Sequence, residues 1–144
     1  PTSYASPRRT TTGVEINRLH QILAVLEKNM NFTLSRYDCY LAVAGGLEVE
    51  EPGADLGIAA AIVSSFKNIE LEEGIVFIGE IGLTGQLRLV RQMQQRITEV
   101  IRLGYRKLII PEGMDTIEFE SNPTLEILKA SNVNQALIFA LNII

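Results

Sequence analysis

The hydrophobic residues of this chain follow two spacings, and each spacing predicts a different element. From Glu15 to Asn29 they recur every three or four positions, which is typical of an amphipathic helix. Further helices are predicted where this spacing returns or where Ala and Ile are dense: Ala54–Phe66, Gln92–Leu103 and Asn134–Asn142.

Strands are predicted where β-branched or aliphatic residues alternate or form short runs. The six segments are Arg8–Val14, Tyr37–Val49, Gly74–Leu83, Gln86–Val90, Lys107–Pro111 and Leu125–Val133. Strands and helices mix along the chain without an internal repeat. This order predicts an α+β fold built from mixed α/β layers.

The composition is that of one globular domain. The chain has 144 residues, of which 47% are hydrophobic and 21% are charged, and no apolar run approaches the roughly 18 residues of a membrane span. We therefore expect a soluble, cytoplasmic protein without a membrane partner. Because the chain begins with Pro1, we expect a piece of a longer protein, with a linker remnant at 1–7 and a single domain at 8–144.

Metal and thiol chemistry is not favoured by the sequence. With only Cys39 and His20, the chain has neither a disulfide pair nor the ligands of a Cys/His zinc site. Cys39 is expected to be a small buried hydrophobe in a core strand. His20 is expected to be solvated or to contact a partner, since it lies on the polar side of its helix.

The charges are unevenly distributed although the net charge is −4. Between Gln86 and Lys107, here called the basic segment, the chain carries six cations against one acid, Glu99. The acids gather elsewhere, at Glu48–Asp55 and Glu70–Glu73. Such a segment can be a solvated helix face, a surface that follows phosphates, or a charge-matched subunit contact.

Common catalytic motifs are missing. The chain contains no G-x-x-x-x-G-K-[ST] sequence, so this region is not expected to hydrolyse ATP. The glycines of "GEIGLTG" (79–85) have the spacing of a hairpin turn and not that of a dinucleotide site. Neighbouring acids in loops diverge, which does not suit general acid–base catalysis.

Several motifs together resemble a known family. The run "GGLEVEEPGADLGIAAAIVSSF" is followed by "GEIGLTGQLRLV" and "LGYRKLIIP", after an opening "RRTTTGVEINRLHQILAVLEK". In this order they are similar to the Lon-protease-like C-terminal domains of the bacterial DNA repair proteins of the RadA (Sms) family. The resemblance covers about Arg8 to Pro111 and implies a Lon-proteolytic-domain-like fold of the ribosomal protein S5 domain 2 type.

The resemblance also implies a lost active site. Active Lon proteases have a P-S-A-G loop with a serine nucleophile and a lysine base on a later helix. Laid over that pattern, Pro52 matches the proline, Gly53 takes the place of the serine and Gln94 that of the lysine. The acid two residues beyond the nucleophile is Asp55, which we expect to be structural through hydrogen bonds with backbone N–H groups near its helix N-terminus.

For function, the resemblance implies a ring-forming, ATP-driven repair protein acting on recombination intermediates, most simply a hexamer. No cofactor is expected in this region, since ATP, Mg²⁺ and Zn²⁺ would belong to the RecA-like ATPase and zinc finger that precede it. Arg8 and Arg9 are candidates for contact with that ATPase domain. The expected location is the cytoplasm of a bacterium, or an organelle of bacterial origin.

The candidate contact residues are four arginines of the basic segment: Arg88, Arg91, Arg96 and Arg102. They could bind single- and double-stranded DNA without sequence preference, or they could meet acidic loops of the next subunit in a ring. A Lon-like peptidase is disfavoured by the missing dyad. With 6% aromatic residues and no Trp, the composition does not favour a base-stacking platform.

Overall fold

The computed structural model describes residues 1–142. It divides into two compact units, 1–51 and the part that begins at Pro52. The single domain expected from 8 to 144 stays a prediction. The mixture of helices and strands confirms the α+β class.

The first unit contains a two-stranded sheet and one long helix. Its elements are β1 (Arg9–Thr12), α1 (Ile16–Met30) and β2 (Cys39–Ala42). The strands run parallel with Arg9 opposite Cys39 and Thr12 opposite Ala42, and α1 packs against β1. The predicted strand Tyr37–Val49 was too long, because the chain turns into a single 3-10 turn at Ala44–Gly46.

Helix α1 matches its predicted position to within one residue at each end. Its apolar stripe is buried, with Leu19 and Leu26 completely inaccessible to solvent. The helix ends where Asn31 adopts a left-handed conformation. Periodicity placed this element well because the spacing of apolar residues decides which face of a helix can be buried.

The second unit is larger and contains the remaining elements. In chain order they are α2 (Asp55–Lys67), β3 (Ile75–Phe77), β4 (Glu80–Ile81), β5 (Leu87–Arg88), α3 (Met93–Arg102), β6 (Lys107–Pro111), α4 (Ile117–Glu120), β7 (Glu126–Ala130) and α5 (Val133–Leu141). A 3-10 turn at Pro52–Ala54 leads into α2. Within the described residues, no helix has the length and apolar character needed to cross a membrane.

A parallel three-stranded sheet forms the centre of this unit, in the order β3-β6-β7. The strand β6 reads KLIIP, and its last four residues are buried, as expected for the middle strand of a parallel sheet. Side chains from α3, β6 and the segment around α4 form one apolar cluster: Ile78, Met93, Ile97, Val100, Leu108, Ile110, Phe119 and Leu125.

The predicted strand Gly74–Leu83 is two strands with different partners. Its first half, β3, pairs with β6, while its second half, β4, forms an antiparallel hairpin with β5. The hairpin is fixed to the start of α5, since Leu87 N donates to Ser131 O at 3.1 Å and Val133 N donates to Gly85 O at 2.8 Å. The short helix α4 was not predicted, because four residues carry too little periodicity.

Candidate functional site

The loop at Pro52–Ala54, where the resemblance places the nucleophile of active Lon proteases, is closed by main-chain hydrogen bonds. Gly53 is buried, and its carbonyl accepts a bond from Gly79 N at 2.9 Å. The carbonyl of Gly79 in turn accepts from Leu56 N at 3.2 Å, which joins the start of α2 to the residue before β4. The loop thus has a defined shape, although the residue at its centre has no side chain.

Asp55 is the buried acid of this loop. It lies in the first turn of α2, and its Oδ2 accepts a hydrogen bond from Ile81 N at 3.0 Å. We predicted a structural carboxylate bonded to backbone near the helix N-terminus. The N–H of this bond belongs to β4, so Asp55 joins two elements across 26 residues of sequence, and bonding within its own helix N-terminus stays a prediction.

Gln94, which the resemblance places at the position of the base, is exposed on the first turn of α3. The backbone carbonyl of Gln94 accepts a hydrogen bond from Thr98 Oγ1 at 2.9 Å. A lysine base works because burial lowers its pKa, and an exposed position does not supply that burial. The two dyad positions therefore differ in environment, one buried and one in solvent.

The arginines at the start of the basic segment differ in solvent exposure and in the groups that they contact. Arg88 lies on β5 with 55% of its side chain exposed, and its Nη1 is 3.6 Å from Glu80 Oε1. Arg91 is exposed beyond the end of β5. Arg96, by contrast, is half-buried, and its Nε donates to the carbonyl of Arg91 at 2.8 Å. The pair Arg88 and Arg91 is thus the accessible part of this stretch.

Farther along, Arg102 is paired with its own helix neighbour. Its Nε donates to Glu99 Oε2 at 2.9 Å, and its Nη2 donates to Glu99 Oε1. These hydrogen bonds lower the pKa of Glu99 and raise that of Arg102. Arg102 therefore carries much less uncompensated charge than the sequence suggested.

Lys107 is also compensated, because the fold brings two acids to it. Its Nζ lies 3.2 Å from Glu72 Oε2 and 3.8 Å from Glu126 Oε1, and only 19% of its side chain is exposed. Counting charges within the segment missed these acids and Glu80, since all three lie outside it. The pairing of β4 with β5 and of β6 with β7 was the missing information.

Arg8 and Arg9 have separate roles within the first unit. The Arg9 guanidinium donates to the carbonyls of Leu34, at 2.9 Å, and Tyr37, so it holds the loop before β2. Arg8 is exposed, with its Cζ 3.8 Å from the centre of the Tyr4 ring. Contact of either arginine with an ATPase domain stays a prediction, and the geometry favours Arg8.

The lone histidine and cysteine have different environments. His20 is exposed on α1, as expected from the helix pattern. Cys39 is half-buried and not a fully buried hydrophobe, because β2 is one of only two strands in its sheet; burial nevertheless raises the pKa of its thiol. Among the residues that the structure describes, no group of three His, Cys, Asp or Glu side chains is arranged to hold a metal ion.

Comparison with known proteins identifies the family of this chain. The family model described as the subunit ChlI of Mg-chelatase matches residues 11–114. The chain is 55% identical over 118 residues to the DNA repair protein RadA of a Synechocystis species, covering 82% of this chain and 23% of that protein. It is 45% identical over 140 residues to RadA of Halalkalibacterium halodurans, covering 95% of this chain and 30% of that protein.

The same holds for RadA of Bacillus subtilis, with 41% identity over 138 residues, 95% of this chain and 30% of that protein. The chain therefore spans between about a quarter and a third of the length of these relatives. The resemblance noted from the motifs is confirmed. The chain belongs to the RadA family of bacterial DNA repair proteins and corresponds to their C-terminal, ChlI-type region.

Proposed function

We propose that this region is a non-catalytic scaffold that forms oligomers and contacts DNA within a RadA-type, ATP-dependent repair and recombination protein. The whole protein would promote branch migration of recombination intermediates. The observation that carries the proposal is the exposure of Arg88 on β5 and of Arg91 just beyond it, while the Gly53 loop offers no nucleophile.

Exposed guanidinium groups suit phosphates because they donate several hydrogen bonds and keep their charge at any physiological pH. Contact with the phosphate backbone carries no sequence information, and its strength falls steeply with salt because counterions are released. A protein that acts on many recombination intermediates needs this kind of contact. Single- and double-stranded DNA would both be bound through it.

The scaffold role is supported by the architecture of the former active site. The Gly53 loop keeps its main-chain bond with Gly79, and the Asp55 carboxylate accepts a hydrogen bond from Ile81 N. These contacts stabilise the fold without any chemistry of their own. A Lon-like peptidase would need a nucleophile at Gly53 and a buried base at Gln94, and neither side chain provides it.

A contact confined to the ring is the second candidate. In it, the exposed arginines would meet acidic residues of the next subunit and not DNA. The acids available for this contact are those of the two acidic stretches, Glu48–Asp55 and Glu70–Glu73. Asp55 is buried and Glu72 is already paired with Lys107, so the other acids of these stretches would have to supply the contact. In either arrangement ATP, Mg²⁺ and Zn²⁺ would be bound by the part of the protein that precedes this region, and the RecA-like domain there would be its partner.

The test is fluorescence anisotropy with labelled single- and double-stranded oligonucleotides at low and at physiological salt. The variant Arg88→Glu/Arg91→Glu is compared with Lys28→Glu/Lys67→Glu, which changes the net charge equally with exposed lysines outside the basic segment. We expect binding that weakens with salt, is lost in the first variant and is largely retained in the second. The oligomeric state is measured by light scattering on the same samples.

The outcomes separate the candidates. Loss of DNA binding with the oligomer intact supports contact of the basic segment with DNA. Loss of the oligomer with no change in DNA binding would favour the ring contact alone. Equal loss of DNA binding in both charge variants would mean that net charge, and not the position of Arg88 and Arg91, controls binding.

A further inference from the structure

The two-stranded sheet of the first unit presents one open face. In both β1 and β2 the residues alternate between half-buried and exposed, and the register places exposed residues opposite each other. Thr10 is paired with Tyr40, and Thr12 is paired with Ala42. The open face therefore consists of one aromatic side chain surrounded by three small ones.

Tyr40 is the prominent side chain of this face, with 64% of its surface exposed. Its neighbours across and along the strands are too small to cover the ring. A soluble protein leaves a large aromatic ring in water at a free-energy cost, because its burial is favourable. An exposed ring on a strand surface can stack against another flat group.

A second aromatic ring and a cation lie at the N-terminal end of the same strands. Arg8 precedes β1, and its guanidinium lies over the ring of Tyr4, which is 45% exposed. Arg36 is exposed in the turn before β2, and its carbonyl accepts a bond from Thr2 N at 2.7 Å. Two exposed arginines and two exposed tyrosines are thus found near one end of the sheet.

The other charges near this face define its polarity. At the same end Asp38 accepts a hydrogen bond from Arg8 N at 2.7 Å. This end therefore has one negative charge, Asp38, and two positive charges, Arg8 and Arg36. At the opposite end Val49 N donates to Gly13 O, which places the acids Glu48 and Glu50 beside the end of β1. Anionic groups are therefore attracted to the Arg8 end and repelled at the Gly13 end.

We propose that the face of Thr10, Thr12, Tyr40 and Ala42 is a binding site for single-stranded DNA, with a base stacked on Tyr40 and phosphates at Arg8 and Arg36. Stacking on an exposed aromatic ring beside a basic edge is the usual way in which single strands are held without sequence preference. A base inside a duplex is already stacked on its neighbours, so the site would select unpaired DNA. This inference extends the DNA contact proposed above. It rests on that proposal in one respect: both assume that the partner is DNA.

The low aromatic content of the chain disfavours an extended base-stacking platform, but it is an average over all residues and does not exclude a single exposed ring. One exposed ring in the right surroundings is enough for one base, and exposure cannot be read from composition. The site also differs in chemistry from the basic segment. Arg88 and Arg91 would bind phosphates of any DNA, whereas Tyr40 needs a base.

The test uses the variants Tyr40→Leu and Tyr40→Phe in anisotropy titrations with a short oligothymidylate and with an abasic oligonucleotide of the same length. Stacking contributes enough that its loss weakens binding by about tenfold. We expect Tyr40→Leu to weaken oligothymidylate binding by that factor, to leave abasic binding unchanged, and Tyr40→Phe to behave as the parent chain. Leu47→Ala, which alters another exposed apolar residue of the same unit, is the control.

A direct readout comes from Tyr40→Trp, since the chain has no other Trp. A base stacked on the new ring quenches its fluorescence, and the abasic oligonucleotide does not. Thermal unfolding of each variant checks that the fold is unchanged.

Two outcomes would overturn the inference: equal oligothymidylate affinity for Tyr40→Leu and the parent chain, or equal quenching by both oligonucleotides. Neither outcome affects the proposal for the basic segment. That proposal is tested by titrating the Arg88→Glu/Arg91→Glu variant with the abasic oligonucleotide and with double-stranded DNA. Conversely, weaker oligothymidylate binding by Tyr40→Leu together with unaltered DNA binding by the double arginine variant would support stacking on Tyr40. It would contradict the proposed contact of DNA with the basic segment. Absence of all binding at low salt would overturn both.

Discussion

The carboxylate of Asp55 and the backbone N–H of Ile81 form a hydrogen bond of 3.0 Å that joins α2 to β4. Asp55 is buried, so water does not replace this bond when it is broken. The bond connects the loop at Pro52–Ala54 to the hairpin that carries Arg88. It gives a physical reason for an acid at this position in a loop without a nucleophile.

Replacing this carboxylate should destabilise the protein. We expect Asp55→Ala to lower the free energy of unfolding by about 2 kcal/mol, because the partly buried N–H of Ile81 loses its acceptor. Asp55→Asn keeps a carbonyl oxygen and should cost less. Urea denaturation followed by circular dichroism measures both, and a stability of Asp55→Ala equal to that of the parent chain would contradict a structural role.

Placing serine and lysine at the two positions that the resemblance assigns to a catalytic dyad should not produce peptidase activity. In Gly53→Ser/Gln94→Lys the new lysine stands at an exposed position, where its pKa stays near about 10.4 and the amine is protonated at neutral pH. A protonated amine cannot accept the proton of a serine hydroxyl. Hydrolysis of a labelled casein substrate is the assay, with Gly53→Ser alone as the control, and cleavage by the double variant would show that this site can still bury a base.

The sequence predicted those parts of the structure that depend on local spacing. Helix α1 and strand β6 lie where the apolar residues placed them, since one element's periodicity is enough to define its buried face. The parallel pairing of β6 with β3 and β7 involves residues far apart in sequence, and no local pattern encodes it. The division of Gly74–Leu83 into two strands has the same origin.

The candidate site was predictable in identity but not in environment. Motif order was enough to place Gly53 and Gln94, whereas their different burial required the fold. The basic segment appeared as a charge of +5 because its acidic partners come from other elements. Tyr40 was missed for a related reason, since a tyrosine in a strand pattern carries no signal of the face on which it lies.

Gly13 and Gly45 provide a test of close packing in the first unit. Both have positive φ values, +87° and +77°. A Cβ at Gly13 would lie 2.8 Å from Val43 Cβ and still closer to the Leu47 carbonyl, while one at Gly45 would meet nothing within 4 Å. We expect Gly45→Ala to cost about 1 kcal/mol for the left-handed conformation alone.

Gly13→Ala should cost clearly more, because the backbone around Leu47 must also move. Chemical denaturation of the two single variants gives the comparison. Equal losses of stability would mean that the chain relaxes at Gly13 without resistance, and that the contact between Gly13 and the segment after β2 does not hold the unit together.

Asp38 should make the stability of the protein depend on pH in the acid range. The backbone N–H of Arg8 and the side chain of Thr2 donate hydrogen bonds that hold the pKa of Asp38 below its ordinary value of 3.8. A carboxyl group with a lowered folded-state pKa stabilises the protein above its unfolded value. This contribution is lost as the pH falls through the folded value.

The comparison is between the parent chain and Asp38→Ala, unfolded by urea at a series of pH values. We expect the parent chain to be more stable near neutral pH and the difference to shrink below about pH 4, toward complete protonation of Asp38. A difference that stays constant from neutral to strongly acid pH would show that the charge of Asp38 is not involved.

Removing the acid beside Arg88 should strengthen the proposed DNA contact. Glu80 Oε1 lies 3.6 Å from Arg88 Nη1 and offsets part of its charge. We expect Glu80→Gln to raise affinity for double-stranded DNA by about two- to fivefold at low salt, because a pair this exposed is worth at most about 1 kcal/mol. The gain should fade as salt is raised to about 0.15 M, since screening weakens both the ion pair and the phosphate contact.

Glu118→Gln is the matched control, because it removes an exposed acid from α4, outside the basic segment. An equal gain in both variants would mean that DNA responds to the net charge of the protein. A gain in Glu80→Gln that disappears when Arg88→Glu is added would identify Arg88 as the group that Glu80 restrains. Because the β4–β5 hairpin brings Glu80 to Arg88, this result would link the fold of the hairpin to the affinity for DNA.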